Sequence, residues 1–151
     1  MSSTLRGKGV QIVGLQELGD TVTMFTNKVQ KVMIRKAAYA GGDVIKAAIQ
    51  ELAPVLEDTE RAGKWVTPKI KRTPGYLKKH ITRRGQPTSD GGFRVSIGPS
   101  PTAFYARFIE TGTNHQPAMP FIRPGFDASN KKAVDAMVKS LDVQIAQELG
   151  R

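Results

Sequence analysis

Between Val22 and Leu52 the apolar residues fall at steps of three and four. They are Val22, Phe25, Val29, Val32, Met33, Ala37, Ala40, Val44, Ala48, Ile49 and Leu52. On an α-helix this spacing gathers them into one stripe, and the stripe has to be buried against something. Asp20 is placed to cap the start of such a helix and Pro54 to stop it. Gly41-Gly42 interrupts the middle, where it predicts a kink or a close approach of another element. Lys28, Lys31, Arg35, Lys36 and Lys46 occupy the outer face. A second stripe, Val134, Met137, Val138, Leu141, Ile145 and Leu149, predicts another long helix from Pro124 to Leu149. Asp127 falls in its expected first turn, where the helix dipole favours a negative charge.

What lies around these helices sets the fold class. Val10 to Val13 and Gly92 to Gly98 carry the alternation of short strands, the second with Phe93, Val95 and Ile97 on one side. A short helix is expected near Tyr76 to Thr82, and a turn-rich loop from Gln86 to Gly92. Ser100-Pro101 has the form of a helix start, and Phe104, Tyr105, Phe108 and Ile109 are expected to face inward from it. Gly112 fits the left-handed residue just past its end. The expected fold is α+β: two long helices packed on a small, mainly antiparallel β-sheet, with an extended basic loop or arm.

At 151 residues one domain is expected, 1–151, with a mobile N-terminal arm over 1–9 and an extended basic excursion over 57–92. There is no internal repeat. The chain has no cysteine, which excludes disulfides, thiolate nucleophiles and cysteine zinc sites. No run approaches the roughly 18–20 apolar residues of a membrane helix, and the opening MSSTLRGKGVQIVGLQ lacks the apolar core of a signal peptide. Synthesis in the cytoplasm, with no membrane partner, is expected.

The formal net charge is +10, which points to an anionic partner. The excess is concentrated between Arg61 and Arg84, where nine Lys/Arg occur without an acid. Lys64, Lys69, Lys71, Arg72, Lys78, Lys79, Arg83 and Arg84 are the candidate contacts to phosphates or to an acidic protein. Trp65 and Tyr76 lie among them, placed to stack on bases or to plug a neighbouring subunit. The plain alternative is a solvated basic loop whose aromatics fold back on the core. No helix-turn-helix, zinc-finger or ribonucleoprotein motif accompanies the charge.

Signals for catalysis are absent from the pattern. His80 sits in the basic KKHITRR, His115 has no second histidine near it, and no ligands recur at metal-binding spacing. Neither a Walker loop nor GxGxxG occurs, so no cofactor and no enzyme are expected. A nuclease, for example, needs clustered carboxylates to hold its metal. Glu110 stands out among the acids. At the end of a helix it is disfavoured by the dipole, unless it serves as a hydrogen-bond acceptor or a subunit contact rather than as an ordinary surface glutamate.

Several stretches together resemble one family. They are Gly14, Leu15, Glu17 and Leu18; ELAPV from Glu51 to Val55; Thr73, Gly75 and Leu77; and VSIGPS from Val95 to Ser100. The most specific are YARFIETGT (Tyr105 to Thr113) and PAMPFIRPGF (Pro117 to Phe126), with Tyr105, Glu110, Gly112, Thr113, Pro120, Phe121, Arg123 and Pro124 as signature positions. On these the chain resembles the gene-product-ten-like tail components of lambdoid tailed phages, a head–tail joining or tail-completion family. The likeness runs from about Val10 to Leu149. It departs from the pattern at Pro74, inside Thr-Gly-x-Leu, and in a longer stretch from Glu57 to Ile70.

The resemblance implies a structural virion protein without enzymatic activity. It would be a homo-oligomeric ring, hexameric to match a tail tube, at the neck or upper tail. Its partners would be other neck and tail proteins and packaged DNA. A tail terminator or stopper of the same neck is the near alternative. A non-specific nucleic-acid-binding protein is the alternative of another class. The loop from Phe108 to Phe126 is expected to be a rigid connector, with Phe121, Ile122 and Phe126 as its anchors.

Overall fold

The two apolar stripes become the two long helices of an α+β fold, and the helices meet through small residues. The computed structural model describes residues 20–23, 25–55 and 74–150. In chain order these form helix α1 (Asn27–Leu52), one-turn helix α2 (Tyr76–Lys79), strands β1 (Ile81–Pro87) and β2 (Phe93–Pro99), helix α3 (Ala106–Thr111) and helix α4 (Ile122–Leu149). The arm over 1–9, the strand from Val10 to Val13, and Lys64, Trp65, Lys69, Lys71 and Arg72 lie outside the described residues.

Helix α1 is the shared element. It packs against α4 on one side and against the β1–β2 hairpin on another. Its contact row on α4 runs at steps of four: Met33, Ala37 and Gly41 are buried, Ile45 is half-buried and Ile49 is buried. The answering row on α4 is Gly125, Ser129, Ala133, Met137, Leu141 and Ile145. The rows run antiparallel, with Gly125 against Ile49, Gly41 against Met137, and Met33 clustered with Ile145. Rows at four-residue spacing on both helices are the ridges that interlock in helix packing. Gly41-Gly42 is a close approach rather than a kink. A Cβ at Gly41 would lie 2.6 Å from Met137 Cγ, and one at Gly42 would lie 2.8 Å from Val95 Cγ1. The adjacent glycines therefore let two different elements close on α1. Ser129, buried in the seam, donates its hydroxyl to the Gly125 carbonyl at 2.6 Å, so no polar atom of that side chain is stranded.

Several boundaries differ from those the pattern predicts. Helix α1 starts at Asn27 and not after Asp20, because Thr26 is extended (φ −61°, ψ 148°) and separates it from a helical turn at 20–23. The Gln30 side-chain amide donates to the carbonyls of Thr23 and Phe25, which stabilises that break. Helix α4 starts at Ile122, two residues before Pro124, so Asp127 falls in the second turn. Its stripe ends early, since Leu149 is 71% exposed. The helix expected from Ser100-Pro101 is a 3-10 turn, Pro101–Ala103, followed by α3.

In the described part of the basic excursion, from Pro74, the short helix expected near Tyr76 to Thr82 is present but ends at Lys79, and the chain then runs on as a paired strand. This part forms α2 and β1, and β1 pairs antiparallel with β2 from Ile81↔Pro99 to Pro87↔Phe93. The loop expected from Gln86 shortens to Thr88–Gly92, closed by Thr88 N–H to Gly92 O at 3.0 Å. One core cluster gathers Ile49, Ala53, Leu77, Ile81, Ala103, Ala106 and Phe121. Small alanines face the core from the Pro101–Thr111 region. Phe104 and Phe108, expected inside, are instead 57% and 51% exposed.

Candidate functional site

The signature segment from Tyr105 to Phe126 is one hydrogen-bonded junction, and Glu110 is its centre. Glu110 Oε2 accepts the backbone N–H of Phe121 at 2.7 Å and of Ile122 at 3.0 Å, and Oε1 accepts that of Arg123 at 3.2 Å. The first N–H groups of a helix have no partner within it. Here Glu110 takes those of Phe121, Ile122 and Arg123, and the fourth position, Pro124, has none to offer. The N-terminus of α4 is thus fully satisfied by a carboxylate delivered from α3. The positive end of the helix dipole adds to the attraction. Partial burial raises the Glu110 carboxyl, and the N–H groups of Ile122, Phe121 and Arg123 outweigh it, leaving the group below the ordinary glutamate range.

The rest of the junction holds this arrangement in place. Phe121, between the proline and the helix, is 1% exposed and is among the largest fully buried side chains. Ile122 packs against the same cluster, whereas Phe126, expected as an anchor, is 48% exposed. The α3 carbonyls are also answered: Thr111 Oγ1 donates to Arg107 O at 2.9 Å and Met119 N–H to Ile109 O at 2.8 Å. Thr113 and Gln116 exchange backbone hydrogen bonds across a tight turn. Gly112 has φ 76° and ψ 175°, outside the left-handed helical region expected for it but still at positive φ. A Cβ there would come 2.8 Å from Ala118 N, so both conformation and space call for glycine. Pro120 and Pro124 are exposed, and Tyr105 is half-buried against the core.

The outward side of the junction mixes polar residues, among them Arg107, Thr113, Asn114 and Gln116, with three large apolar ones. Phe104, Phe108 and Met119 are each about half exposed, between 49% and 57%. An open groove of about 390 Å³ lies nearby, lined by Ile45, Ile49, Val95, Ile97, Ile122 and Phe126 together with Glu110 and Arg123.

The basic candidates separate by strand alternation. Arg83 faces inward: its Nε lies 2.8 Å from Asp43 Oδ1 and its guanidinium sits 4.4 Å above the Tyr39 ring. It is paired with α1, which turns it away from the outer face of the hairpin. Arg84, Lys78 and Lys79 are exposed. Tyr76, expected at a subunit interface, packs against the core and stacks on His80 with ring centroids 3.7 Å apart. His80 Nδ1–H donates to the Tyr76 carbonyl at 2.7 Å, since a carbonyl can only accept. Sequence reasoning missed Asp43 and Tyr39, whose helix positions carry no signal of a strand partner. It also missed Arg94, which the alternation of β2 does place opposite to Phe93, Val95 and Ile97.

Among the described residues no three His, Asp or Glu side chains come together as metal ligands, and no helix is long and apolar enough to cross a membrane. Compared with known protein families, with curated proteins and with solved structures, the chain matches none.

Proposed function

We propose that this chain is a structural assembly protein of a tailed phage. In this reading it forms a ring, six-fold to match a tail tube, and joins head to tail around the DNA channel. The reading rests on the resemblance of the YARFIETGT and PAMPFIRPGF segments. The observation that carries it is that these segments form one braced junction with Phe104, Phe108 and Met119 held outside the core. Large apolar side chains on a braced surface are what a subunit contact requires, and they supply most of the energy of such contacts. A ring built this way uses contacts of two different faces that close on themselves. The signature positions Glu110, Gly112, Phe121 and Pro124 then have a structural task, to fix α3 against α4 and so present that surface.

Two measurements test the reading. Electron microscopy of particles made without this gene should show filled heads and finished tails that remain unjoined, with joining restored by the gene in trans. Intact virions in its absence would falsify the neck assignment. Light scattering on the purified protein, alone and with isolated tails, should show self-association or tail binding. The double variant Phe104→Ser, Phe108→Ser should weaken that association at least about tenfold, and its own stability, expected to fall by about 1–2 kcal/mol because each ring is half buried, is measured beside it by denaturant unfolding. A variant that associates as the parent does would remove the aromatic face from the contact.

A further inference from the structure

The geometry points to the outer face of the β1–β2 hairpin as a binding face for the phosphate backbone of duplex DNA. This deepens the neck reading, since it says which surface of the subunit would be turned to a DNA channel.

The register divides the hairpin into two unlike faces. One face holds Ile81, Arg83, Gly85, Phe93, Val95 and Ile97, and it turns toward α1, where Gly42 admits Val95 and Asp43 receives Arg83. The other face is built from the pairs Thr82↔Gly98, Arg84↔Ser96 and Gln86↔Arg94. Arg84, Gln86, Arg94 and Ser96 are all exposed. Arg84 and Arg94 are diagonal neighbours across the ladder, a separation of about 7–8 Å between side-chain origins. No acid stands on this face. The nearest one in the hairpin, Asp90 at its tip, is held within the turn by Thr88 and by the Gly92 N–H.

The chemistry of the face selects the partner. Arginine, serine, threonine and glutamine are the side chains that contact phosphate oxygens, and a two-stranded ribbon has the width to enter a major groove. No large apolar side chain stands on this face, so it lacks the anchor that a protein partner would bury. Lys78 and Lys79, exposed on the helix that leads into β1, extend the positive field.

The test is binding of the full-length protein to a 30-base-pair duplex of arbitrary sequence, by fluorescence anisotropy over a salt series starting at about 50 mM. The parent should bind, with log affinity falling linearly in log salt. The double variant Arg84→Gln, Arg94→Gln should bind about tenfold more weakly at the lowest salt and lose about 2 from the slope, near 0.9 for each phosphate contact removed. Lys132→Gln, an exposed charge on α4, should leave the slope unchanged. Thermal melting of each variant verifies the fold. No binding by the parent at the lowest salt overturns the proposal, as does a double variant with the parental slope. Equal losses from Lys132→Gln overturn it too, by showing that net charge and not this face is read. Ring assembly is measured separately by light scattering, so either reading can fail without the other.

Discussion

The junction that opens α4 and the β1–β2 hairpin both hold charge beside the same core, and they handle it in opposite ways. At the junction the charge is turned inward onto backbone. Glu110 meets three N–H groups, and nothing of the helix N-terminus is left for a partner. In the hairpin the charge is divided by the two-residue period of the strand. Arg83 is taken by Asp43 and Tyr39, while its neighbour Arg84 is left in water. Polar groups next to a core are kept where a hydrogen-bond partner or opposite charge receives them. Those that remain outward are the ones a partner can use. The junction leaves apolar side chains half exposed, and the hairpin leaves charge exposed.

The largest effect that would break this comparison lies under the junction. Phe121→Ala removes a side chain that is 1% exposed, at the start of α4, in the core cluster that also holds Ile49, Leu77 and Ile81. The expected loss is about 4 kcal/mol, from transfer and from the cavity left behind. Denaturant unfolding measures it. A loss under about 1 kcal/mol would mean that the junction is not anchored in the core at all.

Glu110→Ala comes next. It strands three N–H groups and removes a negative charge from the positive end of α4, together worth about 2 kcal/mol. Glu110→Gln keeps acceptor oxygen without the charge and should cost about half of that. The depressed carboxyl gives the effect a pH signature. A group whose folded pKa lies below its unfolded value contributes fully above the unfolded value, near 4.5, and loses that contribution as pH falls through the folded one. The stability gap between parent and Glu110→Ala should therefore be constant from pH 7 to about 5 and shrink below that. A gap that does not change with acid would show that the carboxylate form is not what caps the helix.

The long helices were legible because their apolar stripes repeat at steps of three and four, although Gly125, Ser129 and Ala133 of the α4 seam are too small or polar to register in them, and β2 because Phe93, Val95 and Ile97 alternate. Strand β1 was not, and the reason is physical. Its inward positions after Ile81 are Arg83 and Gly85, an ion-paired arginine and a glycine whose missing Cβ makes room for Tyr39 and Phe93. Neither registers as apolar, so no period of two can be read from ITRRGQP. The inward placement of Phe104 and Phe108 failed for the converse reason. Size and spacing suggested burial, but Ala103 and Ala106, both 0% exposed, take the close positions against the core. Glu110 was legible as an acceptor at a costly position. Its donors were not, since Phe121 to Arg123 are brought to it by the tertiary fold and not by local sequence.

The smallest effect sharpens the hairpin side of the comparison. Asp43→Asn removes the partner of Arg83, with Arg83 and Asp43 side chains 32% and 54% exposed, so the ion pair contributes little. A loss of about 0.5 kcal/mol is expected, within the range of exposed pairs in water. The Tyr39 ring still holds the guanidinium on the inward side. The variant gains one unit of positive charge without adding a charge to the outer face. Its stability should fall slightly, and the salt slope of DNA binding should stay at the parental value. A slope that steepened by about 0.9 would mean that Arg83, once released, reaches a phosphate. In that case the strand's alternation does not decide which arginine a partner meets, and the division drawn between Arg83 and Arg84 fails.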